Sequence, residues 1–296
     1  MKIKILLSLF FLCGILNLFS QSKIDFRLNL TAGQCFTVIT EITTEGTTTK
    51  QGKTSDLYSY MMMKNEYKMI KKVKNDMDIF VTKKDFSMDI QNASVKSKQS
   101  PALADEHNIY NPSTIFSLQL NRPYTAIISE QGKVLKIKMN NLLKDVTKKI
   151  NAIENNESKQ LYLSMLPSEQ SLSDEIEKLT DFFPKTPVSI GDKWSIYEFF
   201  AETDTTYVIK GYRTLFEDGK SKKDTIMGFI TEIFGTGSED ILIEIDKQTF
   251  LPHSLQIISS SDTEVISRTM AGNEISRMLK VATTTTSITI RICKDE

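Results

Sequence analysis

Histidine is almost missing from this chain, which carries His107 and His253 and no others. Hydrolytic and transfer chemistry usually sets a nucleophile beside a base, and histidine is the usual base. His107 follows Asp105-Glu106 in a polar stretch, and His253 follows Pro252 in what reads as a turn between strands. An exposed imidazole there needs no function, and no Gly-x-Ser-x-Gly elbow accompanies either. No catalytic residue is assigned. Cysteine is scarce too: Cys13, Cys35 and Cys293 have none of the short spacings of a zinc motif, so no metal ligand is assigned. Glu239-Asp240 and Asp174-Glu175 offer carboxylates for calcium, but neither resembles an EF-hand loop, and a solvated turn or helix start accounts for them. Net charge is absent, with 37 Lys plus Arg against 37 Asp plus Glu, which removes the electrostatic footprint of a nucleic-acid binder. The basic stretch Lys64 to Lys74 reads as the solvated face of a strand. Gly235-Thr236-Gly237 leads into a strand pattern and not a helix, so it is no phosphate loop and no cofactor is implied.

Long apolar runs are absent after the first twenty residues. Met-Lys-Ile-Lys is followed by the apolar stretch from Ile5 to Phe19 and then by Ser20-Gln21. A basic start, a short apolar centre and a small residue at its end form an export signal too short for a comfortable membrane span. The expected signal peptide is 1–20, cleaved after Ser20. Cys13 lacks the small residues that precede a lipidated cysteine, so a lipoprotein is not expected. The mature protein is expected in the periplasm or outside the cell, with no transmembrane span.

What remains is dominated by period-two alternation. Met77, Ile79 and Val81 share a face that Phe86, Met88 and Ile90 resume after a bulge at Lys83-Lys84. Turns are read at Glu45-Gly46, Asn75-Asp76, Glu130-Gln131-Gly132, Glu217-Asp218-Gly219 and Gly235-Thr236-Gly237, with an irregular loop over 93–113. Long strands on short turns imply antiparallel pairing. From Asn140 the period changes: Leu142, Leu143, Val146, Ile150 and Ile153 recur at helical spacing, followed by shorter helical segments over 161–166 and 171–183. The fold class is α+β, mainly β: a long, curved, half-barrel-like antiparallel sheet with a central helical block packed on one face or end. The chain divides into a first strand half (21–138), a helical block (139–183) and a second strand half (184–296), with 21–296 forming one compact unit.

The stretch from Phe182 to Ser195 organises this plan. Pro184 and Pro187 stop the helix, Gly191-Asp192 makes a turn, and Trp194 opens a strand expected to run on to Phe200. The same pattern of glycine, polar residue, spacer and aromatic appears at Gly33-Gln34-Cys35-Phe36, which raises the prospect of an internal duplication. After export, Cys35 and Cys293 remain on the first and last long strands, opposite the apolar faces of Phe36-Val38 and Ile288-Ile290-Ile292. They form a disulfide if those strands are neighbours, or stand as two separate strand residues. Met61, Met63, Met69, Met77 and Met88 either line an adaptable apolar pocket or pack an ordinary core.

Taken in order, Leu28-x-Leu30-x-x-Gly33-Gln34-x-Phe36, Ser129-Glu130-Gln131-Gly132-Lys133-Val134, Phe183-Pro184-x-x-Pro187-Val188-x-x-Gly191-Asp192-x-Trp194 and Ile245-Asp246 resemble an uncharacterised family of exported bacterial envelope proteins, a domain of unknown function. The resemblance brings no catalytic residues. The long strands and covering helices also look like the half-barrels of envelope lipoprotein carriers, an analogy of fold alone. Three functional readings remain: a non-enzymatic envelope protein binding a lipid or other apolar or amphipathic ligand between sheet and helices, a module that docks an envelope protein partner, and, least supported, a hydrolase.

Overall fold

The computed structural model describes residues 22–91, 96–104, 112–139, 143–154, 156–164, 166–216, 221–226, 229–268 and 274–293. Among these, thirteen strands form one sheet: β1 (Cys35–Lys50), β2 (Lys53–Val73), β3 (Asp76–Gln91), β4 (Lys96–Gln99), β5 (Tyr124–Ser129), β6 (Val134–Lys138), β7 (Lys193–Trp194), β8 (Tyr197–Glu202), β9 (Thr206–Phe216), β10 (Ser221–Ile226), β11 (Phe229–Asp246), β12 (Pro252–Arg268) and β13 (Glu274–Ile292). The helices are short: α1 (Pro112–Ser117), α2 (Lys144–Asn151), α3 (Asn156–Ser164) and α4 (Glu169–Glu177). The protein is therefore mainly β, and its helical block is minor. The export stretch 1–20, His107 and the turn read at 217–219 lie outside the described residues.

The strand order is β6-β5-β3-β2-β1-β13-β12-β11-β9-β8-β7, with β4 beside β3 and β10 beside β11. Neighbours are antiparallel, and β6 and β7 end the path unjoined, so the sheet is open. Each half is a meander, and the halves meet where β1 pairs β13 from Phe36↔Ile292 to Lys50↔Met278. Cys35 and Cys293 are bonded across this seam on its outer face, with Cα atoms 5.3 Å apart.

Alternation decides which face is buried. Phe36 and Val38 of β1, Ile241, Ile243 and Ile245 of β11, and Ile288 and Ile290 of β13 all point inward. On β3 the expected bulge is present: Lys64 pairs Asp85 but Asn65 pairs Lys83, so Lys84 is skipped and Phe86 returns to the inner face. Below the sheet, the extended segment 22–30 crosses from one half to the other. Ile24 bridges Val188, Leu28 N–H donates to Glu130 and Asn29 N–H to Thr249. Phe26 is buried at the centre of this crossing, in ring contact with Phe183, Phe199, Tyr207 and Phe250.

Several turns fall elsewhere than the sequence suggests. β1 runs straight through Glu45-Gly46 and turns at Gln51-Gly52, both at positive φ as a two-residue hairpin requires. Gly46 is there for closeness and not for a turn, since a Cβ would sit 2.1 Å from the Val281 carbonyl oxygen. Gly235-Thr236-Gly237 likewise lies inside β11; Gly235 has φ +138° and backs onto Asp262 and Thr263 of β12. The turn after β2 is Lys74-Asn75, with Val73 paired to Asp76. The stretch 93–113 contains β4 and a short 3-10 turn at Pro101–Leu103. The strand expected from Trp194 to Phe200 is broken at Ser195 (φ 51°) into a hairpin pairing Trp194 with Tyr197. His253 sits on β12 and not in a turn.

α4 packs against the sheet, as α1 does through Phe116 against Phe86 of β3. Ser168 caps α4, and Leu172 and Ile176 enter the main core with Leu179 and Phe182. It is pinned to the β5–β6 hairpin by Val134 N–H donating to Glu177 and by the Thr180 hydroxyl donating to the Gly132 carbonyl. Val146, Ile150, Ile153 and Tyr162 of α2, α3 and the link between them form a separate small cluster.

Candidate functional site

The sheet is covered only in part. Past the end of α4, the inner faces of seven adjacent strands, β2, β1, β13, β12, β11, β9 and β8, surround a cavity of about 350 Å³. β1 contributes Val38, Thr40 and Ile42, β2 contributes Met61, Met63, Asn65 and Tyr67, and β13 contributes Thr286 and Ile288. Leu255 and Ile257 of β12 and Ile241 and Ile243 of β11 complete an apolar wall. A polar wall adjoins it: Glu175 of α4, Lys178 and Asp181 just beyond it, Tyr197 of β8, Arg213 of β9, and Glu239, which shares β11 with Ile241.

These polar groups are held in place. Glu239 is 9% exposed and accepts from the Arg213 Nε–H through Oε2 and from the Ser259 hydroxyl through Oε1. That contact with Glu239 also raises the Arg213 pKa, so the guanidinium stays charged. Asn65, itself buried, donates to Glu175. Desolvation pushes the Asp181 carboxyl above the usual carboxylate range, against the pull of Arg213 and Lys178. It also pushes the Tyr197 hydroxyl up to about 12 and the fully buried Tyr67 well above its ordinary value. Burial lowers the pKa of Lys83, partly countered by Glu175. Such a wall can hydrogen-bond and pair with charge, while Val38, Ile42, Met61, Met63, Leu255 and Ile257 offer hydrocarbon and thioether contact.

The methionines divide. Met61 and Met63 line the cavity, on the same phase of β2. Met69 and Met77 are fully buried in the main core and do not line the cavity. Met88 is half-buried opposite Met61 on β3 and does not line the cavity. Of the organising stretch, Pro184 is buried, Pro187 exposed, Gly191 has φ +90°, and the Asp192 carboxylate accepts from Ser189 N–H. The Trp194 indole donates to the Phe182 carbonyl at 2.9 Å, which ties the end of the helical block to β7. These residues do not line the cavity. His253 is exposed on β12. Glu66 lies beside Cys35 and Cys293, but sulfurs bonded to one another are not thiolate ligands.

Sequence reasoning passed over Asn65, Arg213 and Asp181, and read Glu239 as part of a solvated acidic turn, whereas it is buried on β11. A signal existed for three of them. Glu239 continues the inward phase of Ile241, Ile243 and Ile245, Arg213 that of Tyr207 and Ile209, and Asn65 falls between Met63 and Tyr67. A charged or amide residue on the buried phase of a strand needs a partner, which is a reason to look for a site.

No curated protein matches the chain. Among solved structures it is similar to lipovitellin, at 8% identity and TM-score 0.37, over 90% of this chain and 26% of that one. It thus spans about a quarter of that protein. It is also similar to an outer membrane channel from Pseudomonas putida, at 5% identity and TM-score 0.21, over 91% of this chain and 99% of that one. A third similarity is to a putative outer membrane lipoprotein-sorting protein domain from Vibrio parahaemolyticus, at 7% identity and TM-score 0.15, over 89% and 87% of the two chains. Likenesses this faint carry no argument about function. A family model described as a family of unknown function (DUF6263) matches residues 72–252, more than half of the chain, and the protein belongs to that family.

Proposed function

We propose that this is an exported, non-enzymatic envelope protein that holds an apolar or amphipathic ligand between its sheet and α4. The observation that carries the reading is the cavity: five neighbouring strands, β2, β1, β13, β12 and β11, turn apolar side chains toward a space that they leave unfilled. An ordinary core closes such space, because an empty apolar void forfeits contacts on every side. An antiparallel sheet that stays open between β6 and β7 supports the same reading, since a ligand needs a way in. No helix of the described residues is long and apolar enough to cross a membrane.

Native mass spectrometry on the mature protein, purified gently from its host envelope, tests this. The expected result is an extra mass that is lost on denaturation and missing from a Met61→Trp/Ile257→Trp variant whose cavity is filled. A bare chain from the host, together with no uptake of any alkyl compound in vitro, would sink the proposal.

A second reading, a module docking an envelope protein, draws on the outer face, where Leu242, Ile258, Leu279 and Val281 are exposed on β11, β12 and β13. In-cell cross-linking from Ile258 and Leu279 is its test. Capture of one defined envelope protein, lost on Leu279→Asp, would favour it.

A further inference from the structure

The cavity constrains its occupant more tightly than the class proposed above, and the constraint rests on that ligand-binding reading. The first limit is size. At about 30 Å³ per water-sized group, a space of about 350 Å³ accommodates one chain of roughly a dozen heavy atoms, headgroup included.

The second limit is charge. Of the three carboxylates at the polar wall, Glu239 has both oxygens engaged, by Arg213 and Ser259, and Glu175 accepts from Asn65. Asp181 is the third; it is exposed, and desolvation raises its carboxyl pKa against the pull of Arg213 and Lys178. The cations are not used up in the same way. Arg213 bonds Glu239 through Nε alone, its side chain is 51% exposed, and its two terminal nitrogens make no hydrogen bond among the described residues. Lys178 is exposed and makes no ion pair among them. A guanidinium fixed through Nε presents its remaining N–H groups as a fork, the geometry that suits a carboxylate.

We infer that the cavity takes a single-chain amphipath with a carboxylate head, the head against Arg213 and Lys178 and the chain along Met61, Met63, Leu255 and Ile257. A long-stemmed lysine beside a fixed arginine adds a second donor without dictating the angle of approach.

The test is calorimetric titration of the mature protein with three probes sharing a ten-carbon chain: decanoate, decan-1-ol and decyltrimethylammonium. Decanoate is expected to bind about tenfold more tightly than either of the others. Arg213→Gln and Lys178→Gln are each expected to weaken decanoate by about ten- to a hundredfold, as for loss of one hydrogen bond to a charged group, while leaving decan-1-ol within about twofold. The glutamine amide can still donate to Glu239, and circular dichroism verifies the fold of Arg213→Gln; Lys178→Gln changes an exposed residue and reads the same effect independently. Equal binding of all three probes, tighter binding of the cation, or decanoate affinity unchanged in both variants would overturn the headgroup assignment and leave the ligand-binding proposal standing. No binding of any probe would overturn both.

Discussion

β1 changes character along its own length. At its start Phe36 and Val38 are buried, and Phe36 stacks on Tyr67 with ring centroids 5.0 Å apart. At its far end the strand is held by hydroxyl pairs: Thr44 with Thr284 at 3.0 Å, Thr48 with Ser55 at 3.0 Å and Thr49 with Thr54 at 2.8 Å. Between them, Thr40 and Ile42 line the cavity. The backbone pairing is continuous through all three zones, so the difference lies in what covers the inner face. The crossing segment and α4 cover the lower zone and α4 gives out at the middle. The cavity is therefore a boundary effect: apolar side chains continue past the point where the cover stops.

Changes at the two ends should accordingly differ in size. The largest loss should follow Cys35→Ser/Cys293→Ser at the lower seam. The bond spans 258 residues, and chain-entropy arguments put such a long loop at up to about 5 kcal/mol; urea unfolding of the double variant measures it, and a midpoint equal to wild type would show that pairing of β1 with β13 holds the seam unaided. Phe26→Ala removes the ring at the centre of the crossing, and a loss of about 3–5 kcal/mol is expected by the same assay. In the far zone, Gly46→Val drives a side chain into the Val281 carbonyl and should cost about 1–3 kcal/mol. That outcome would sharpen the contrast by locating far-zone sensitivity in backbone closeness and not in burial.

Alkaline pH probes the middle zone. Tyr197 ionises at about 12 in the folded protein, above its ordinary value of 10.0. The unfolded chain loses this proton first, so the stability present below pH 10 falls as pH rises toward 12. Ultraviolet titration of wild type against Tyr197→Phe measures the effect. The smallest change is expected from Thr44→Val, which replaces one hydroxyl pair by apolar contact and should stay within about 1 kcal/mol. A loss as large as that of Phe26→Ala would break the contrast between the ends.

A second comparison bears on what was legible. Thr31 to Gln34 and Ser189 to Asp192 match in sequence, and they match in geometry: Gly33 has φ 87° and Gly191 φ 90°. Gln34 N–H donates to the Thr31 carbonyl and Asp192 N–H to that of Ser189, while the Gln34 and Asp192 side chains accept from Thr31 and Ser189 N–H. A turn is a local object, so four residues suffice to specify it. The strands these turns lead into are fixed by distant partners. One turn opens a strand at the middle of the sheet, the other a two-residue strand at its edge, broken at Ser195.

The same distinction explains the misread glycines. A glycine in a threonine-rich stretch looks like a turn because the residue that crowds it is far off in sequence: Val281 for Gly46, Asp262 for Gly235. The alternation of Met77, Ile79 and Val81, the bulge before Phe86 and the pairing of Met61 with Met63 on one face were readable, because a strand's period of two is set by its own backbone. Which methionines met the cavity and which filled the core was not, since that depends on where α4 ends above them.

The sequence by itself determined the strand-dominated composition, the inward phase of each strand and the local conformation of the two matched turns, all consequences of backbone geometry over a few residues. The tertiary structure alone decided that the first and last strands are neighbours, that Arg213, Glu239 and Asp181 share one wall, and that an apolar space remains beside them. Those outcomes depend on contacts between residues from 26 to 258 positions apart, and on the limited reach of one short helix over a wide sheet.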